Sequence, residues 1–294
     1  MRVGVDSYSY HRLLGEVRQG ELPPAIPPFA RGSLDALAAI RATGADVASL
    51  ETVFLPPPGR LDCAALLDAA GPLELALAWG HPDGLAWGAD AAALSELRAW
   101  IRLAPRLGCR LVRIVAASPR LRRAGTPADQ LAATARAVRR ALAEAESAGV
   151  ALAIENHGDL TGAMLVELLD RCPGLGVCFD TANALRVGDD PLAAAVLLAD
   201  HVRIVHLKDC EPLDPNGRGS PAGPRSVPCG EGVVPVAAVL DALAPALAAG
   251  APVCVELAQL GPEVADERAL VADGVAWLRR WAGHPAEQAK REPA

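Results

Sequence analysis

The sequence predicts one (β/α)8 barrel of parallel strands inside a ring of helices. Three observations lead there. Short apolar runs alternate with longer helix-like segments along the whole chain, and the runs number eight. No glycine-rich turn follows the first run, where a doubly wound nucleotide-binding sheet would need one; Asp6-Ser7-Tyr8-Ser9-Tyr10 stands there instead. The chain has 294 residues, enough for such a barrel with modest insertions.

The strand runs are Val3–Asp6, Val47–Glu51, Glu74–Trp79, Leu111–Val115, Ala151–Glu155, Gly176–Asp180, Val202–His206 and Pro252–Glu256. Most are almost continuously apolar, as parallel strands covered on both faces are. Helix signals fill the gaps. Ser33 stands ahead of a periodic segment that Gly44 closes, and Thr126-Pro127 opens a long Ala-rich helix that ends at Gly149. Thr161 caps a helix running to Arg171. Arg41, Arg136, Arg139 and Arg140 fall on solvated helix faces. Two loops are long and rich in Pro or Gly, residues 11–32 and 209–232, and read as lids or binding loops. The barrel is assigned to residues 1–282, and 283–294 to a flexible tail.

Composition narrows the class. Hydrophobic residues make up 51% of the chain but aromatic residues only 3%, so the core must be Ala, Leu and Val rather than rings. Lys and Arg number 28 against 35 Asp and Glu, a net charge of −7 that opposes a nucleic-acid surface. No apolar run is long enough to span a membrane, and the opening MRVGVDSYSY turns polar too early for a secretory signal. The seven cysteines form no C-x-x-C pair, so a reduced, cytoplasmic protein is expected.

The chemistry is announced by what ends four late strands. Glu155, Asp180, His206 and Glu256 terminate the fifth to eighth runs, and the first two steps, 25 and 26 residues, are one strand-helix unit each. The third is longer by the 209–232 loop. In a barrel all four converge on the C-terminal mouth. Three carboxylates and an imidazole in one small space repel without a cation, and together they suit a divalent ion: Mn²⁺ first, with Mg²⁺, Co²⁺, Zn²⁺ or Fe²⁺ as alternatives. A helix-capping role accounts for one such acid, not for four successive strand ends.

The segments IENHGD (154–159), FDTAN (179–183), HLKD (206–209), PCGEG (228–232) and VCVEL (253–257), with the opening GVDSYSYH, resemble the xylose isomerase-like TIM barrels of sugar phosphate isomerases and epimerases. The resemblance orders the second half of the chain and matches the first half in layout only. It implies that Glu155, Asp180, His206 and Glu256 hold the metal. It implies too that Glu155 and Glu256 form an acid/base pair across the substrate. Coordinated substrate oxygens would acidify the C–H between them and favour an enediolate, with carboxylates on both faces to move the proton.

Supporting residues are assigned as substrate contacts. His157 orients Glu155 or meets substrate, and Asn183 matches a polar substrate contact of the family. Lys208 neutralises an oxyanion or pairs with Asp209. Arg225 resembles a substrate-contacting arginine, and His81 follows the third strand at the mouth. Glu51, Tyr10, His11, Trp79 and Trp87 line the cavity or fill gaps; Arg218, Arg225 and Lys208 are the cations available to a phosphate. Glu231 is read as structural, and His201 and His284 as surface.

The expected partner is a small carbohydrate or polyol, with neither nucleic acid nor membrane, and homo-oligomers through the 11–32 loop are an open expectation. A dehydratase or lyase acting on a ketocyclitol or 3-keto-glycoside could use the same site. An apurinic-site nuclease would want additional histidines, whereas this chain has Asn183 and Lys208. A non-catalytic binding subunit would not need the complete ligand set.

Overall fold

Each apolar run pairs with its neighbours as a parallel strand, and the eighth returns to the first. In the computed structural model, residues 1–118, 121, 125–212 and 224–283 are described. The strands are β1 (Val3–Asp6), β2 (Val47–Glu51), β3 (Glu74–Ala78), β4 (Leu111–Ile114), β5 (Ala151–Glu155), β6 (Gly176–Asp180), β7 (Val202–Leu207) and β8 (Val253–Val255). Helices α1 (Ser33–Ala42), α2 (Cys63–Ala70), α3 (Ala91–Leu103), α4 (Pro127–Ala148), α5 (Gly162–Arg171) and α6 (Pro191–Leu198) fill the crossovers. α7 (Val236–Ala242) and α8 (Ala244–Ala248) share the next, and α9 (Glu267–Gly283) follows the last strand. Gly283 therefore still ends a helix; residues 284–294, with His284, lie outside the described residues, as does Arg218.

Side-chain alternation sets the barrel's interior. Val47, Ala153, Cys178, Ile204 and Cys254 form a buried cluster with Leu111 packed on it. Two residues further along the same strands stand Ser49, Glu155, Asp180, His206, Glu256 and Arg113. An apolar layer thus floors a polar one. Gly4 lets the layer close: a Cβ there would lie 2.6 Å from Cys254 Sγ and 2.9 Å from the Val47 carbonyl oxygen. β8 is short, but the Glu256 N–H still donates to Leu207 O at 2.9 Å, so the Glu256 backbone remains tied to the ladder.

Capping follows the sequence at α4, where Thr126 and Asp129 cap reciprocally and Gly149 turns left-handed at φ 68°. Thr161 caps α5 by accepting from Met164 N–H. Ser33 behaves differently. It is already helical, Gly32 takes the cap position, and its hydroxyl donates to Phe54 O at 2.9 Å.

The 11–32 loop is anchored by buried charge. Arg12 Nη2 donates to Glu267 Oε2 at 2.8 Å, and Glu21 accepts from His11 Nε2 at 2.9 Å and from the Leu260 N–H at 2.7 Å. His11 is thereby committed to the loop. Among the described residues no helix is long and apolar enough to cross a membrane.

Candidate active site

Glu155, Asp180, His206 and Glu256 meet at the barrel mouth, all buried, each offering a ligand atom within 4.8 Å of the others. Neighbouring side chains aim them. Asn156 brackets the end of β6: its Nδ2 donates to Asp180 O at 2.9 Å and its Oδ1 accepts from Asp180 N–H at 2.7 Å. Thr181 Oγ1 does the same for β7, donating to Lys208 O at 2.6 Å and accepting from Lys208 N–H at 2.9 Å. Asn183 Nδ2 donates to Glu155 Oε1 at 3.1 Å. His206 lies between acids, with Nδ1 2.6 Å from Glu256 Oε2 and Nε2 3.6 Å from Asp6 Oδ2, the latter oxygen accepting from Ser49 Oγ.

Two cations from this chain compensate part of the negative charge. Lys208 Nζ lies 2.7 Å from Asp180 Oδ2 and 2.9 Å from Glu256 Oε1, so it pairs across strands and not with Asp209. Arg113, buried in β4, is in close contact with the Glu51 carboxyl, and its Nε lies 3.0 Å from Glu155 Oε2. Burial would raise the Glu256 carboxyl, but Lys208 and His206 outweigh it and hold that group well below its ordinary range. Glu51 goes the other way: burial pushes it up to about 8 against the pull of Arg113. Burial, then the cations Arg113, Arg186 and Lys208, push His157 down to about 3, leaving its imidazole neutral.

The donor set fits a divalent cation. Glu155 Oε2, Glu256 Oε2 and both ring nitrogens of His206 are buried without a well-aligned hydrogen bond, their near contacts being the charge pairs Arg113–Glu155 at 3.0 Å and His206–Glu256 at 2.6 Å, and native interiors seldom leave such atoms so. Carboxylate oxygens with one imidazole form a set suited to Mn²⁺ and its neighbours, and Asp6 stands behind the imidazole as metal-supporting carboxylates do.

Above this ring opens a cavity of about 510 Å³. Glu155, Glu256, His81, His157, Asn183 and Lys208 line it, joined by Glu51 and Arg113. Arg225 stands apart, exposed on its loop, where its carbonyl accepts from Glu211 N–H at 2.9 Å. Trp79 is fully buried under His81, stacked at 5.4 Å, and fills a gap. Asp209 explains the HLKD and PCGEG segments together. Its carboxylate accepts from Gly230 and Gly232 N–H at 2.9 Å each, and from Cys210 at 2.9 Å and Val234 at 3.1 Å. Asp209→Ala would orphan four N–H groups, with an expected loss of about 3 kcal/mol. Hydrogen exchange at residues 230–234 should accelerate first; unchanged protection there would refute the clamp.

Arg113, Asp6, Arg18 and Arg186 are the site residues that sequence reasoning missed. Arg113 carried a readable signal: a charge inside the run Leu-Val-Arg-Ile-Val, on the same face as Leu111.

A sequence profile of the xylose isomerase-like TIM barrel family matches residues 37–281. The chain belongs to this family. Solved structures similar to this xylose isomerase-like barrel include an L-ribulose 3-epimerase at 19% identity, covering 99% of both chains with a TM-score of 0.69. A D-allulose 3-epimerase from Methylomonas sp., in complex with D-allulose, shares 16% identity over 95% of this chain and 96% of that one, TM-score 0.70. A probable 3-DHS dehydratase of petrobactin synthesis from Bacillus anthracis shares 14% over 95% and 99%, TM-score 0.65. No curated protein matches the sequence. At these identities the structural likenesses establish the fold.

Proposed function

We propose that this chain is a divalent-metal-dependent isomerase or epimerase of a keto sugar, sugar phosphate or related polyol. The observation that carries the reading is the convergence of two buried glutamates with Asp180 and His206 on the floor of a sugar-sized cavity. Glu155, Asp180, His206 and Glu256 would hold the ion, Mn²⁺ by preference. Bound there, it would supply Lewis acidity, polarising the substrate carbonyl and acidifying the adjacent C–H.

The protein's own groups do the rest. Lys208 keeps Glu256 ionised, so this carboxylate serves as the base that takes the proton from carbon. Glu155, aimed by Asn183 and Arg113, is the partner that returns a proton. The buried floor keeps bulk water from competing for that proton. Sugar epimerases among the similar structures support this assignment.

Elimination is the second reading. Glu51, pushed up to about 8, lines the same cavity as a protonated carboxyl able to donate to a leaving oxygen. The similarity to a dehydratase is consistent with it.

The test is proton exchange. With Mn²⁺ in heavy water, the chain should place deuterium on the carbon beside the carbonyl of at least one ketose among D-fructose, D-tagatose, L-ribulose and their phosphates, read by NMR. Absence of exchange throughout, with one Mn²⁺ bound per chain, would sink the isomerase reading. Growth of enone absorbance from a 3-keto-glycoside would favour elimination.

A further inference from the structure

One guanidinium in the cavity has no counter-ion among the described residues. Arg186 sits on the turn Asn183–Val187 after β6 and lines the cavity, yet makes no hydrogen bond or ion pair with any described group. The chain makes room for it. Gly158 lies against its stem, and a Cβ there would sit 3.0 Å from Arg186 Cδ and Nε, at a φ of +80° that already favours glycine. The glycine of the IENHGD segment therefore keeps a channel open for an arginine from the next loop.

A second guanidinium stands in the same cavity. Arg18, from the loop after β1, lines the same cavity, donates to Ala258 O at 2.9 Å and repels Arg186. His157 lines it too, and its Nδ1 is buried with no hydrogen-bond partner. The acids nearby are already committed. Glu16 accepts from the Tyr8 hydroxyl at 2.8 Å, Glu51 pairs with Arg113, and Asp180 and Glu256 pair with Lys208. Of the carboxylates that attract Arg186 from a distance, Asp180 and Glu155 belong to the metal-type ring, and Asp159 accepts from the Ala117 and Leu160 N–H groups at 2.9 Å each. A largely buried guanidinium left so is costly unless an anion completes it, and its planar fork suits a carboxylate or phosphate.

We infer that Arg186, with His157 beside it, is an anion subsite, and that the substrate is a ketose derivative bearing a carboxylate or phosphate. Arg186 grips the charged end while the reacting carbon rests over Glu155 and Glu256. The placement of the reacting end rests on the isomerase reading; the anion subsite does not.

Titration calorimetry of the Mn²⁺-loaded full chain against D-fructose, D-fructose 6-phosphate and 2-keto-D-gluconate tests it, with Arg186→Met and Arg186→Lys alongside. At least one charged ligand should bind about tenfold or more tighter than fructose to the unaltered chain. Arg186→Met should erase that preference, and Arg186→Lys should keep part of it. The stronger charged arm tells phosphate from carboxylate. No preference for either charged ligand, or an equal loss for fructose in Arg186→Met, overturns the subsite. Orthophosphate on the chelator-treated chain separates the two ideas. Protection against thermal unfolding that Arg186→Met abolishes upholds the subsite even where no proton exchange occurs. Exchange of fructose without any anion preference overturns the subsite and leaves the isomerase reading standing.

Discussion

Glu256→Gln is expected to slow proton exchange by about 10²–10⁴-fold while the chain stays folded. The substitution keeps the side chain's volume and an oxygen for Lys208, whose second contact, to Asp180 at 2.7 Å, is untouched. What disappears is the negative charge that Lys208 and His206 stabilise against burial. One carboxylate of the metal-type ring goes with it, so Mn²⁺ binding must be followed in parallel by electron paramagnetic resonance. At saturating Mn²⁺ a remaining deficit in kcat reports the lost base. Glu155→Gln should cost a similar factor, and the double variant little more than either, because the two carboxyls act on one proton transfer. Retention of more than about a tenth of the rate in either single variant would remove the acid/base pair from the mechanism.

The four ring residues were legible because a polar residue that stops an apolar strand has no packing reason to be there. β1, β2 and β6 are buried throughout, which is why their runs read as unbroken and could be counted. The same continuity concealed Arg113. A single charge within four apolar neighbours resembles a tolerated exception until alternation with Leu111 turns it toward the barrel axis. Arg186 was hidden differently, since only the three-dimensional proximity of Gly158 shows that its turn faces inward. Lys208 could be placed at the mouth but not paired: Asp209, the adjacent acid, spends its oxygens on four backbone N–H groups. Arg225 rested on a motif alignment through a loop, where spacing constrains position least, and the structure leaves it exposed.

Arg113 is where the largest loss of stability is expected. Arg113→Met strips a cation from between two buried carboxyls, Glu51 and Glu155, and breaking such a pair from one side costs about 3–5 kcal/mol. For a chain of this size the melting temperature should fall by on the order of 10 °C. Glu51→Gln should be far milder, because Arg113 keeps Glu155 at 3.0 Å as its counter-ion and gains a neutral acceptor in place of Glu51. The two variants also differ in pH dependence. The folded Glu51 is pushed up to about 8 from an ordinary 4.5, so between these values the folded chain holds a proton that the unfolded chain has released. Its contribution is therefore complete below pH 4.5 and is lost as pH rises toward 8. Glu51→Gln removes that slope, and its melting temperature relative to the unaltered chain should improve steadily from pH 5 to pH 8. Arg113→Met retains Glu51 without its cation and so should keep the slope and extend it above pH 8. A Glu51→Gln variant as damaged as Arg113→Met, or one whose relative stability ignores pH, would mean that Glu51 is ionised in the fold and that its pairing with Arg113 outweighs its burial.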